Sequence, residues 1–353
     1  MSKKRKKMKN VQKKRDHLIK WVLACSVILL IEGCESPGKK WELTSTMSAT
    51  LKNGVLTIET TENLEKMPDY NFPLPLKDGE ELNRTPWIEE CLNITSVIIE
   101  NGVESIGSFA FYDFKNLISV SISNAVTTIG VQTFEGCSSL TSVDIPNSVK
   151  EIRTRAFFRC SSLTSVNIPN SVTDIGDGAF AQCSSLTSVN IPNSETIIEQ
   201  MNVFQGCSSL TSIDIPNSVK IIGGGTFRDC SSLTSVTIPN SVKVISGYAF
   251  FGCSSLASIN IPNSVEIIGN YSFYGCSSLT SINIPNSVGI IWEYAFGGCT
   301  MLKNVTVNWV NPIFIGQNAF SFSSDMTLHV PEGKWSVYNN FPGWNNFKNI
   351  KTN

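Results

Sequence analysis

From residue 91 onward, apolar and polar side chains alternate in one recurring grammar. The stretch Cys137-Ser-Ser-Leu140-Thr-Ser-Val143-Asp144-Ile145-Pro146-Asn147-Ser148-Val149 places Val143 and Ile145 between polar Ser142 and Asp144. That period of two predicts a short strand with one buried face. Pro146 removes a backbone donor and presets a bend, and Asn147 and Ser148 suit the turn that follows. A second extended piece, Val149 to Ile152, returns to the core. Ala156-Phe157 with Cys160 then closes the unit through a compact, 3₁₀-like turn. No stretch carries the pattern of a long helix.

The grammar has a fixed period. Cys137, Cys160 and Cys183, then Cys207, Cys230, Cys253, Cys276 and Cys299, are 23 residues apart with one interval of 24. Stepping back by 23 reaches Phe114 and then Cys91, so nine of the eleven cysteines share one column. A leucine slot runs through Ile94, Leu117, Leu140, Leu163, Leu186, Leu210, Leu233, Leu256, Leu279 and Leu302, which counts ten units. Leu-x-x-Val-x-Ile spacing at this period predicts a mainly β solenoid, a leucine-rich repeat array of about ten coils with short strands and 3₁₀-like turns. One coil cannot bury its apolar face alone, so stability resides in the contacts between coils, and both open ends need caps. The expected organisation is a signal over 1–33, a linker and N-terminal cap over 34–90, the solenoid over 91–323 and a C-terminal cap over 324–353. In the first cap, a strand-like Ala49 to Ile58 turns at Asn53-Gly54 before a Pro-rich stretch (Pro68, Pro73, Pro75, Pro86) and Trp87. In the second, a strand over Thr327 to Val330 and a short helix after Pro331 are expected, with Trp335, Tyr338, Trp344, Phe347 and Ile350 available to cover the last coil. The 24-residue coil, with Glu195 in a valine slot and Glu199 in a glycine slot, reads as a bulge between 195 and 203.

Charge changes the picture at one end only. The chain has 28 basic and 29 acidic residues, but residues 1–33 hold ten basic and two acidic ones, leaving 18 against 27, a net of −9, for the remainder. An acidic body excludes a nucleic-acid partner recruited by bulk charge. The basic start is followed by Trp21 to Ile31, eleven uncharged residues, too few for a membrane-spanning helix and right for the apolar region of a secretory signal. With only His17 and His329, the chain is poor in the imidazoles that metal clusters and most nucleophile systems use. No Gly-rich phosphate loop, nucleophile motif or Cys-x-x-Cys pair appears, so neither a cofactor nor a metal is expected and the chain does not read as an enzyme.

Three columns are candidates for chemistry. Adjacent cysteines are not kept from disulfides by coil spacing alone, yet a member at every coil behaves as a small buried side chain, and buried free thiols are expected. The outward positions of the first strand, Asp144, Asn167, Asn190, Asp214, Thr237, Asn260, Asn283 and Thr306, form either a solubilising ladder or a hydrogen-bonding surface for sugars or peptide backbone. Two Asp in eight coils are too few for calcium. The third column is aromatic. Tyr248, Tyr271 and Tyr294 stand where earlier coils carry Gln132, Arg155, Gly178, Asn202 and Gly225. Phe251 and Tyr274 follow three residues after the first two, and Trp292 replaces a usual glycine. The buried Phe column already exists at Phe250, Phe273 and Phe296, so these six rings are expected at least partly exposed. They are either a recognition surface or a stack that stabilises the turns.

Two stretches resemble known families. Ile31-Glu32-Gly33-Cys34 is similar to the lipobox of bacterial lipoproteins, with Glu32 a departure from it. The resemblance implies that Cys34 is lipid-modified and becomes the mature N-terminus; a start at Met8 gives a signal of more ordinary length. The coil Phe157 to Gly176, Phe-x-x-Cys-Ser-Ser-Leu-Thr-Ser-Val-x-Ile-Pro-Asn-Ser-Val-x-x-Ile-Gly, resembles the BspA-like leucine-rich repeats, as do Gly54-Val-Leu-Thr-Ile58 and Gly343-Trp-Asn-Asn-Phe-Lys-Asn-Ile350 in the flanks. The resemblance implies an exported bacterial protein, lipid-anchored to the outer membrane or cell surface. Such a protein adheres to a host or microbial surface protein, or captures glycan for nutrient uptake.

Overall fold

A computed structural model describes residues 38–71, 84–193 and 199–352. The signal, Cys34, Pro73, Pro75 and Glu195 lie outside the described residues.

Each coil uses its alternating residues as the pattern requires. In the coil that begins at Cys137, Ser142–Asp144 is the first strand, with Val143 inward between two exposed neighbours. Glu151–Ile152 is the second, with Ile152 buried. The Val149 amide donates to the Pro146 carbonyl at 3.1 Å and closes the bend between them. First strands pair in parallel with the coil before and after, Ser142 on Ser165, Val143 on Val166 and Asp144 on Asn167. Second strands do the same, Glu151 on Asp174 and Ile152 on Ile175. Pairing across one period sets like on like, and every column read along the chain becomes a physical row.

The closing turn supplies a third ladder. The amides of Gln132, Phe134 and Gly136 donate to the carbonyls of Thr154, Ala156 and Phe158 in the next coil at 2.9, 2.8 and 2.8 Å. Within the turn the bonds are of the expected 3₁₀ type, Glu135 to Gln132 and Cys137 to Phe134. A regular 3₁₀ helix does not form, because Gln132 and Gly136 have φ of 52° and 77°. Left-handed residues at both positions recur in the following coils, among them Arg155 and Arg159, and Tyr248 and Gly252. Hydroxyls reinforce the pairing: Thr187 Oγ1 donates to the Thr164 carbonyl at 3.1 Å, and Thr234 Oγ1 to that of Thr211 at 3.0 Å.

Inside, ten phenylalanines from Phe111 to Phe320 stack face to face, with centroids 5.2–5.4 Å apart over most of the column. Trp87 stacks on Phe111 at one end, its indole N–H donating to the Ala110 carbonyl at 3.1 Å. Trp344 and Phe347 meet Phe320 at the other, and Tyr338 Oη donates to the Trp309 carbonyl at 2.8 Å. Trp335, expected among the covering rings, instead points outward on the short helix Trp335–Asn339 and is 48% exposed. Its neighbour Tyr338 takes the inward face.

At the N-terminal side, Met47–Lys52 and Val55–Thr60 form an antiparallel hairpin about Asn53-Gly54, whose φ of 51° and 78° suit a type I′ turn. Val55–Thr60 then runs parallel to Ser96–Ile99, and Glu65–Lys66 to Val103–Ile106. These residues make an incomplete leading coil, giving about eleven coils beside ten leucine slots. The extra residue of the 24-residue coil has a visible cost. Phe204 lies 5.8 and 5.9 Å from its two ring neighbours; first-strand pairing stops at Ser188–Asn190 and resumes at Ser212–Asp214, as it also lapses between Ser235–Thr237 and Ser281–Ile284, where no residue is added.

The slot after each second strand shows a two-coil rhythm: Gly130, Arg153, Gly176, Glu199, Gly223, Ser246, Gly269, Trp292, Gly316. A Cβ added to Gly176 would fall on the backbone of Arg153 and Thr154, and one at Gly269 on that of Ser246 and Gly247. Gly176→Ala is therefore expected to lower stability by about 1–3 kcal/mol, since backbone cannot yield as a side chain does. Gly289→Ala, whose Cβ meets nothing nearer than the Glu266 carbonyl at 3.9 Å, should stay within about 0.5 kcal/mol. Thermal melts of the two variants check the contrast; equal melting temperatures would refute it.

The aromatic edge as a candidate functional site

The closing turn presents its left-handed residue outward, and in three successive coils that residue is a tyrosine. Tyr248, Tyr271 and Tyr294 have φ of 61°, 55° and 54°. Gly178 and Gly225 occupy the same slot without steric cost, whereas an L side chain there costs about 1–2 kcal/mol. Register sets the rings over one another: Tyr248 to Tyr271 is 5.0 Å and Tyr271 to Tyr294 is 4.8 Å, with planes within 10°. Phe251 and Tyr274 make a second stack at 5.2 Å, tilted against the first. All five rings are half-buried, so the edge is both a self-supporting stack and an accessible aromatic surface. Desolvation, followed by the adjacent Tyr294 and Tyr248 hydroxyls, raises the Tyr271 pKa.

Trp292 does not join them. It is 47% exposed and borders a separate depression of about 490 Å³ with Ser246, Asn270 and Glu293. Sequence reasoning missed two residues beside the stacks. Arg228 precedes Phe251 in its column, and its guanidinium lies 5.0 Å from the Phe251 centroid and 5.7 Å from that of Tyr248. Asn318 follows Tyr294 in the tyrosine column and donates from Nδ2 to Tyr294 Oη at 3.0 Å. Stepping the Phe251 column back by 23 residues, and the Tyr294 column forward by the 24 that also separate Phe296 from Phe320, finds them.

The first-strand column is placed as expected. Asp144, Asn167, Asn190, Asp214, Thr237, Asn260 and Asn283 are exposed, and Thr306 is half-buried. Asn190 Nδ2 donates to Asn167 Oδ1 at 3.0 Å, a rung of a side-chain ladder. Where pairing lapses beside the long coil, a depression of about 450 Å³ opens on this face between Asn190 and Asp214.

The cysteine column has a more definite role than filling space. Eight thiols, Cys137 through Cys299, are buried and form no disulfide. Each donates to the carbonyl of a core phenylalanine in the preceding coil, Cys160 Sγ to Phe134 and Cys253 Sγ to Phe227 at 3.2 Å, for example. The thiol satisfies a buried acceptor while fitting a small slot. Burial raises their pKa values, to about 12 at Cys183, Cys230 and Cys299.

Parallel coils, an unbroken phenylalanine column and capped ends define a leucine-rich repeat solenoid. The chain belongs to the family of the BspA type leucine rich repeat region, whose six-copy model matches residues 87–207 and 200–327. Among solved structures, a leucine-rich repeat protein from Eubacterium ventriosum shares 24% identity over 84% of this chain and 85% of its own, with a TM-score of 0.53. The pneumococcal vaccine antigen PcpA shares 15% over 88% and 98%, with a TM-score of 0.51. Both likenesses concern the fold. No curated protein matches the chain.

The thiols should stay unreactive toward a chromogenic disulfide at pH 8 until the protein is unfolded, and then titrate as free cysteines. Raised folded pKa values also fix a direction. Between the free value near 9.0 and about 12, the folded state keeps protons that the unfolded state has lost. Stability is therefore full below pH 9 and falls above it, by about 1.4 kcal/mol per thiol per pH unit. Urea midpoints between pH 8 and 11 test this; a flat profile, or native mass lower by two hydrogens per cysteine pair, would contradict it.

Proposed function

We propose that this chain is an exported, lipid-anchored bacterial surface protein that binds a protein ligand of a host or of another microbe through the aromatic edge. It works by binding and not by catalysis. Family membership supports the class, and Cys34 after its basic and apolar leader supports the anchor. The observation that carries the ligand surface is the run of three tyrosines in a left-handed slot. The same slot accepts Gly178, Asn202 and Gly225 in neighbouring coils, so solenoid packing does not require a ring there. Half-buried, pre-stacked rings offer area that loses little side-chain entropy on binding, which is how aromatic hot spots act. Capture of glycan is the second reading, favoured by the hollow at the end of the stacks described below.

Tyr248→Asn, Tyr271→Asn and Tyr294→Asn together should weaken adhesion to ligand-bearing cells by about thirtyfold, the equivalent of one aromatic hot spot of about 2 kcal/mol. Lost stacking, about 0.5–1.5 kcal/mol per pair, is offset in part by relief of the left-handed tyrosines. Unchanged adhesion beside a large fall in melting temperature would assign the rings a purely structural role and move attention to the Asn167 and Asn190 face.

Cys34→Ala should shift the protein from the membrane to the soluble fraction, because an acyl chain supplies the membrane affinity in this reading. Retention of a processed Cys34→Ala protein in membranes would remove the anchor from the proposal.

A further inference from the structure

Rings stacked like on like leave two ends, and here the ends differ. On the N-terminal side, the Arg228 guanidinium covers both Tyr248 and Phe251. On the other side, both stacks stop within one coil. The column Arg228, Phe251, Tyr274 continues as Gly297, and the column Tyr248, Tyr271, Tyr294 continues as Asn318. A ring is thus missing from each column at adjoining positions. A Cβ at Gly297 would lie 2.8 Å from Tyr274 Cδ2, so glycine lets the Tyr274 ring lean over the chain there. What remains is a hollow of about 680 Å³. Its walls are Tyr274, Tyr294 and Phe322, and Thr300, Asn318, Ser321 and Ser323 stand exposed around its rim.

The lining narrows the ligand chemistry. It has aromatic surface and neutral hydroxyl and amide groups, and no charged side chain. A charged ligand would lose hydration without gaining a counter-charge. A peptide strand would need main-chain partners, but Gly298 N–H already donates to Ser321 Oγ at 2.7 Å, and Phe296 pairs with Phe320 as a parallel bridge. A ring with an apolar C–H face and neutral hydroxyls on its edge matches both parts of the lining. We propose that this hollow seats one uncharged pyranose ring of a glycan, an assignment that rests on the aromatic edge being the ligand surface.

The test is saturation-transfer NMR and calorimetry on the purified full-length chain with the methyl pyranosides of glucose, galactose and mannose, with glucuronate, and with N-acetyltyrosine amide. At least one neutral pyranoside should bind in the millimolar range, with glucuronate weaker by about tenfold or more. Asn318→Tyr fills the hollow with the residue that three coils already carry in that slot, and should abolish the signal. Gly297→Phe, the residue of Phe251, is the second blocking variant should the first not fold. Gln132→Asn, in the same left-handed slot but seven coils away from the hollow, should leave pyranoside binding unchanged. The proposal fails if no neutral pyranoside binds, if both blocking variants bind as before, or if tyrosine amide binds more tightly than every sugar. Lost adhesion in the triple tyrosine variant together with no pyranoside binding would sink the seat and spare the broader reading; pyranoside binding with unaffected adhesion would do the reverse.

Discussion

Everything in this molecule depends on in-register parallel pairing from one coil to the next. That pairing operates on three sides of the coil, at the first strand, the second strand and the closing turn. It fixes a spacing near that of paired strands, about 4.8 Å, close to the distance at which aromatic rings stack. The phenylalanine column, the thiol-to-carbonyl bonds and the hydroxyl ladders all follow from holding identical residues at that separation. Where one extra residue enters, between Asn190 and Ser212, first-strand pairing lapses and the rings move apart.

The same constraint explains how an accessible aromatic surface can arise on so regular a body. A single exposed tyrosine on a turn is only a side chain, but the same substitution in three consecutive coils becomes a stacked plane without any change in backbone. The solenoid converts repetition in sequence into area in space. The site is defined by departures from the repeat, and the remaining coils show what the fold alone requires.

The period of 23, the alternation at Val143 and Ile145 and the proline bend are local signals, and they led directly to the coil and its stacking. The three tyrosines were legible for the same reason, as breaks in a column. Other features depend on geometry that a linear pattern does not carry. Nothing in Gln132 or Arg155 announces a left-handed backbone, because both residue types usually avoid it. The cysteines read as small apolar fillers, and their bonds to phenylalanine carbonyls emerge only when one coil is laid on another. Trp335 and Tyr338 lie on one short helix, and which of them turns inward was set by the Trp309 carbonyl, a partner 29 residues earlier in the chain. The hollow beside Tyr294 is made by absences, at Gly297 and Asn318, which a search for functional residues passes over.

The alternation of glycine and side chain after the second strand bears on how such an array changes length. Coils with Gly176 or Gly269 press their backbone against the coil before them, and those coils carry Arg153 and Ser246. Loss of a glycine-bearing coil by recombination between repeats sets two side-chain-bearing coils against each other; loss of its neighbour sets two glycine coils together, an arrangement already present at Gly107 and Gly130. Gain or loss of a pair preserves the rhythm. On steric grounds, then, single-coil loss is costly only where it removes a glycine-bearing coil.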